Sequence, residues 1–350
     1  MCDLALLRLI AQRIAGPPGA SATDAVGWLT ALQAQDYPGA ITSIALRTKE
    51  RTREGVEEAM NAGSIVRSWP MRGTLHFVLA EDLGWMLELT AERMLKGAAA
   101  RRAALDIDAK GIERAGAVAR RLLEGGQRIG RSGLIQAWDE AGVETKAQRS
   151  YHLIWHLAQS GMLCFGPTNG NEQEIVLVDE WVPKPRVLER DEALGEWALR
   201  YFRSHGPATA KDFAWWTKLT MKDVRTGLAA VGAQLQRIEV DGTEYFMDPR
   251  TPDLLGAYRH EAEGAFLLPG FDEYMLGYQD RSAALPGEWA ERIIPGNKGM
   301  FQPTVIAQGR VVGTWKRTGR GAKQTLNATA FTEFAEAVES DLPTLFAALP

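Results

Sequence analysis

At 350 residues the chain is long enough for two or three domains, and 45% apolar content suffices to bury their cores. A formal net charge of −4 excludes indiscriminate polyanion binding, which requires a general excess of Lys and Arg. No apolar run approaches the roughly 20 residues that span a bilayer, and the N-terminus lacks the basic-then-apolar layout of a signal peptide, so a cytoplasmic protein without a membrane partner is expected.

Leu4, Leu7, Ile10 and Ile14 recur at helical spacing and predict a helix over 3–14, stopped by Gly16-Pro17-Pro18-Gly19. Ser21 or Thr23 caps a second helix, whose stripe of Ala25, Val26, Trp28, Leu29 and Leu32 predicts that it runs on to Pro38. Gln33 and Gln35 then fall in its last turn and point to different sides of the stripe. Two amides at a helix end can hold a water or a phosphate between donor and acceptor, although a glutamine in such a place is more commonly just solvated. Residues 41–47 read as a short buried segment and 53–62 as a third helix ended by Gly63.

The run from Ile65 to Val78 reads as two short strands joined near Gly73, and helices followed by a hairpin are the outline of a winged helix. Alternation sets Arg72, Thr74 and His76 on one face of the second strand. That polar face suits a phosphate or a substrate edge, or simply hydrogen bonds to the preceding helix. One long helix is expected over 82–102 and another over 114–124; helices follow near 132–141 and over 145–159. Strands 163–165 and 175–178 then flank the turn Asn169-Gly170-Asn171. His152 and His156 share a helical face, but Leu153-Ile154-Trp155 between them offers no acidic partner, so packing or phosphate-facing histidines are expected rather than a metal pair. Cys2 and Cys164 stand alone, which leaves neither a disulfide framework nor a metal cluster; no metal and no cofactor are expected.

The same order returns a third time after the linker Trp181-Val182-Pro183-Lys184-Pro185: helices over 191–204, 211–217 and 221–231, then strands 235–240 and 244–247 joined by Asp241-Gly242. Beyond Pro252 strands are expected at 264–268, 304–307 and 309–315, closed by a helix over 328–348, and together they suggest a small β-barrel or curled sheet. Asp272 and Glu273 lie next to each other in a loop, where adjacent residues of an extended chain face opposite ways, so they read as loop anchors rather than as a catalytic pair. Among the basic clusters, Lys316, Arg317, Arg320 and Lys323 are the most phosphate-like, because Gly319 and Gly321 leave the backbone open between them.

Leu32-Gln33-Ala34-Gln35, Ser68-Trp69-Pro70-Met71-Arg72-Gly73-Thr74-Leu75-His76, Gly206-Pro207-Ala208-Thr209 with Trp216, Leu268-Pro269-Gly270-Phe271-Asp272-Glu273-Tyr274 and Gly309-Arg310-Val311-Val312-Gly313-Thr314-Trp315-Lys316, taken in this order, resemble the AlkZ-like winged-helix DNA glycosylases. The resemblance implies an α+β fold: three tandem winged-helix units, at 1–103, 104–183 and 184–255, in a C-shaped arrangement, followed by a small C-terminal β-barrel with a closing helix at 256–350. It implies removal of N7-alkylated purines from double-stranded DNA, in some members from interstrand crosslinks, by a monomer. The family's Gln-apolar-Gln signature falls on Gln33 and Gln35. Arg72, Thr74 and His76 would then line the cleft and touch the DNA backbone, while Lys316, Arg317 and Arg320 would grip phosphates.

The chemistry of two glutamines points the same way. Breaking an N-glycosidic bond requires departure of the base and arrival of water at C1′, and a normal purine leaves only when protonated or met by a strongly activated water. An amide has no pKa near neutrality and can only orient a water. Such a site suits a base that already leaves well, as a purine carrying a fixed positive charge from N7 alkylation does. Asp36 is a candidate auxiliary that would add weak base character or steady the sugar cation. Trp28, Tyr37 and Trp69 are the aromatics that would stack on an extruded base, and each also suits core or loop packing. Two other readings stand beside this one: a non-catalytic winged-helix DNA-binding regulator, for which the helix at 145–159 is weakly basic, and a family member whose glycosylase activity is vestigial or narrowed to a self-made genotoxin.

Overall fold

Helices, short hairpins and tight turns alternate through the computed structural model, which describes residues 3–170, 172–319 and 321–350. Cys2, Asn171 and Arg320, named above, lie outside the described residues. The chain forms two compact units, residues 1–56 with 194–350, and residues 57–193.

In the first unit the helices Leu4–Ala11 and Thr251–Ala262 pack together. Leu9, Ile10, Leu255, Leu268, Tyr274 and Ile306 belong to the core they share. The helix Arg190–His205 enters this unit, and the helices Ala210–Thr217 and Met221–Val231 follow it. Thr209 with Asp212 and Thr220 with Asp223 form capping boxes that satisfy the first backbone N–H groups of the last two helices. The hairpin Gln236–Val240 with Thr243–Met247 comes next on its Asp-Gly turn, and Ala208 bridges to Phe246.

The C-terminal strands make an antiparallel sheet in the order Thr325–Ala330, Arg310–Thr318, Thr304–Ala307, Ala265–Leu268. Its first and last strands are not paired with each other, so the sheet is open and the expected β-barrel is not formed among the described residues. The helix Glu336–Ala347 covers it instead, with Leu342 packed on Leu267, Val305 and Trp315. Residues 328–330, expected to begin the closing helix, instead end the strand Thr325–Ala330, because Leu326, Ala328 and Ala330 are half-buried in alternation with exposed neighbours, a period of two.

In the second unit the helix Ala109–Leu123, the strand Ile129–Gly130, the helices Arg131–Glu140 and Arg149–Gln159, and the hairpin Leu163–Asn169 with Glu172–Leu177 follow in order. Ile129 pairs with Ile175, so the short strand joins the hairpin. Trp138, Leu153, Leu157, Leu163 and Ile175 fill the core between them. The strands Ile65–Met71 and Thr74–Leu79 extend this sheet through Arg67 opposite Phe165. The single helix expected at 82–102 is two, Leu83–Gly97 and Ala99–Ala104.

Candidate active site

Ser21 does cap the second helix, accepting from the Asp24 N–H, but that helix is Ala22–Leu29 and ends nine residues before Pro38. Thr30 turns the chain into the left-handed region at φ 70°, and Leu32–Gln33 is extended. Pro38 lies in the first turn of the next helix, Tyr37–Ala45, rather than ending the previous one, and the expected buried segment at 41–47 is the rest of that helix and the turn after it. The reason is that proline's fixed φ and missing N–H cost nothing in a first helical turn.

This correction changes the geometry of the two glutamines. Gln33 Nε2 donates to Gln35 Oε1 at 3.0 Å across the bend that follows the strand, so the two amides face each other instead of diverging. Ala34 between them is fully buried. Gln33 is 5% exposed and its Oε1 is a buried acceptor without a hydrogen-bond partner among the described residues, while Gln35 reaches solvent.

Beneath the segment lies a frame of charge. The Gln33 backbone N–H donates to Glu273 Oε1 at 3.0 Å, and Trp216 Nε1 donates to Glu273 Oε2 at 2.9 Å. His205 Nε2 lies 3.5 Å from that second oxygen. The neighbouring carboxylate faces elsewhere: Asp272 takes both Arg47 Nη atoms at 2.8 Å, the Ser43 hydroxyl and the Tyr274 N–H. Burial opposes ionisation of Asp272, but the Arg47 guanidinium and these hydrogen bonds outweigh it and hold the carboxyl below its ordinary value. Arg47 is itself fully buried, and its remaining donors reach Gln12 O, Gln12 Oε1 and Ser43 O. Asp272 and Glu273 are thus anchors, as expected of two adjacent acids that face opposite ways. Their partners Arg47, Trp216 and His205 escape sequence reasoning, since separations of 225 and 57 residues for the first two leave no local spacing to read.

Asp36 is exposed and precedes the helix Tyr37–Ala45, where its carboxylate turns over Gly39; a Cβ there would fall 2.5 Å from Asp36 Oδ2. Lys316 and Arg317 are exposed at the end of their strand, Arg317 within 3.3 Å of the Pro350 carbonyl. Arg72, Thr74 and His76 belong to the second unit. Met71 pairs with Thr74, so Arg72 and Gly73, at φ 59° and 70°, are the two residues of a primed turn and Arg72 leaves the strand face expected for it. Thr74 and His76 stay on one face, where His76 is buried and its Nδ1 meets Thr74 O at 2.8 Å.

Two of the expected stacking aromatics are packing groups. Trp69 is buried against Tyr151 and Phe165, and Trp28 donates to the Ala11 carbonyl beneath the Arg13 guanidinium. Half-buried Tyr37 lies 5.9 Å from the Arg53 guanidinium. Among the described residues no cluster of His, Cys, Asp or Glu could hold a metal, and no helix is long and apolar enough to cross a membrane.

Comparison with known proteins adds three findings. Residues 26–349 match the family model of the AlkZ-like DNA glycosylases. The chain is 29% identical over 310 residues to an interstrand DNA cross-link repair glycosylase of Streptomyces sahachiroi, covering 85% of this chain and 82% of that protein. It is also similar to the solved structure of the Streptomyces sahachiroi DNA glycosylase AlkZ, with a TM-score of 0.81 and 25% identity, covering 99% of this chain and 95% of that one.

Proposed function

Because the chain belongs to the AlkZ-like DNA glycosylase family, we propose that it hydrolyses the N-glycosidic bond of cationic N7-alkylated purines in double-stranded DNA, with the attacking water placed by Gln33 and Gln35. The observation that carries this reading is the buried Gln33 Oε1, without a partner among the described residues, next to a Gln35 oxygen that accepts from Gln33. A carbonyl oxygen has two lone pairs, so Gln35 Oε1 retains one. A water donating one proton to each amide oxygen keeps its own lone pair for C1′.

Neither amide can remove a proton from that water, so bond breaking runs ahead of attack and the base must depart by itself. A purine alkylated at N7 leaves as a neutral base with the bonding pair, the water then bonds C1′ and releases its proton to solvent, and this dependence on the leaving group is the selectivity the site imposes. Asp36, one residue beyond Gln35, adds negative potential beside the sugar cation, weakened by its exposure. Interstrand crosslinks through N7 present the same leaving group, and the named activity of the Streptomyces relative supports them as substrates.

We read the chain as three winged-helix modules, 1–103, 104–183 and 184–255, with a C-terminal module at 256–350 carrying Lys316, Arg317 and Arg320 to the phosphates, and with Arg72, Thr74 and His76 as further backbone contacts. The protein works as a monomer. The test is single-turnover excision of N7-methylguanine from duplex DNA, with binding followed in parallel. Wild type releases the base, whereas Gln33→Ala and Gln35→Ala bind and release it far more slowly. Binding without release of this or a bulkier N7 adduct would instead establish a non-catalytic DNA-binding protein.

A further inference from the structure

Glu273 takes no part in the chemistry above, yet it holds the residue that does. Its side chain is buried, and two N–H donors converge on it, the Gln33 backbone on Oε1 and Trp216 Nε1 on Oε2. A carboxylate accepts on both oxygens, whereas the isosteric amide offers one oxygen and an NH₂ group. Glutamine at 273 would therefore turn a donor toward either Gln33 or Trp216. The backbone of Glu273 is fixed as well: its carbonyl accepts from Gln12 Nε2 at 3.1 Å, the same amide that donates to the Tyr278 hydroxyl at 3.0 Å. Asp272 meanwhile clamps Arg47 and Ser43, so the adjacent carboxylates hold the chain at Gln33 and in the helix that begins at Tyr37.

Gln33 follows a left-handed Thr30 and lies in a strand of two residues. Its peptide plane sets where its side chain begins, and hence where the buried Oε1 points.

We propose that Glu273 is a positioning residue of the glycosylase site: its carboxylate, fixed by Trp216, sets the peptide plane of Gln33 and so aims Gln33 Oε1 at the attacking water. The proposal rests on the water-positioning reading of Gln33 and Gln35. A displacement on the order of 1 Å in a positioned group costs about 100-fold in rate. A group that acts through Gln33 costs nothing once the Gln33 side chain is gone.

The experiment is single-turnover release of N7-methylguanine by the full chain as wild type, Glu273→Gln, Gln33→Ala and the double variant, with melting temperature and duplex DNA affinity measured alongside. Glu273→Gln is expected to lose about 100-fold in rate while DNA affinity stays within about twofold, and to cost no further rate in the Gln33→Ala background. An unchanged rate in Glu273→Gln overturns the proposal, and so does an independent loss in the double variant, which marks a purely structural role. If Gln33→Ala alone keeps the wild-type rate, the water-positioning reading fails and this proposal falls with it.

Should Glu273→Gln not fold, Trp216→Phe keeps an aromatic side chain and the carboxylate while removing one donor. Its excision slows, and the backbone amide resonance of Gln33 in ¹⁵N-glutamine-labelled protein moves from its wild-type position. An unmoved resonance with an unchanged rate refutes the assignment.

Discussion

Replacing Asp272 by Asn removes one charge from a fully buried pair and leaves the Arg47 guanidinium without its counter-ion. Asp272 Oδ1 accepts from Arg47 Nη2 and from the Tyr274 N–H, and Oδ2 accepts from Arg47 Nη1 and the Ser43 hydroxyl. An amide nitrogen in place of either oxygen opposes an Arg47 donor. Breaking one side of a buried ion pair costs about 3–5 kcal/mol, and at roughly 2–4 °C per kcal/mol for a unit of this size the melting temperature should fall by about 6–20 °C. The pH dependence has a definite sign. Arg47 holds the Asp272 carboxyl below its ordinary value, so its stabilisation is full above the usual carboxylate range and is lost as pH falls through the depressed value. The gap between wild type and Asp272→Asn in urea-unfolding midpoint is therefore widest at pH 7 and closes on acidification below about pH 4. A gap under about 1 kcal/mol at pH 7, or one that is constant with pH, would refute the reasoning. Arg47→Met with Asp272→Leu, which removes both charges, should recover most of the loss.

Lys316→Ala and Arg317→Ala should each weaken DNA binding similarly across sequences and lower the slope of log affinity against log salt by about 1, read by fluorescence anisotropy from 50 to 200 mM salt; unchanged slopes would remove them from the phosphate contacts. The single-turnover rate should be flat from about pH 5.5 to 8, because an amide-held water has no titrating partner, whereas a rise through about pH 6.5 would indicate a histidine base. Burial first, and then the charges of Arg101 and Arg102, hold His152 below the ordinary imidazole value, and burial with Arg102 does the same for His156. The unfolded chain then binds more protons below about pH 6.5, so stability is full above that pH and falls beneath it. His156→Gln should flatten this part of a urea-midpoint profile, and an unaltered slope would show that other groups govern it.

The order of helices and hairpins is legible in the sequence because local chemistry dictates it. Met221–Val231 lies where its period predicts, and the Asp241-Gly242 turn places the third hairpin. The end of the helix before the glutamines is not legible. Ala31 and Leu32 continue its apolar stripe, and the residue that breaks it is a threonine at positive φ rather than a glycine, so periodicity overshoots. Sheet closure fails for a related reason: strand existence is local, but whether first and last strands meet depends on curvature and register, which no single segment encodes.

The same distinction explains the candidate site. The glutamine pair can be picked out from four consecutive letters, but what makes it a site is contributed from elsewhere. Neutral amides have neither the charge nor the pKa to drive hydrolysis, so on the proposed reading their value lies wholly in where they point. Direction is set by the buried acids 240 and 229 residues away, Glu273 at the Gln33 backbone and Asp272 at Ser43. A buried carboxylate is expensive to desolvate and persists only where its partners are fixed, which Trp216 and Arg47 are. On the proposed reading, charge placed in the frame with two neutral amides at the water keeps a strong base off that water, and so would restrict the site to bases that carry their own reason to leave.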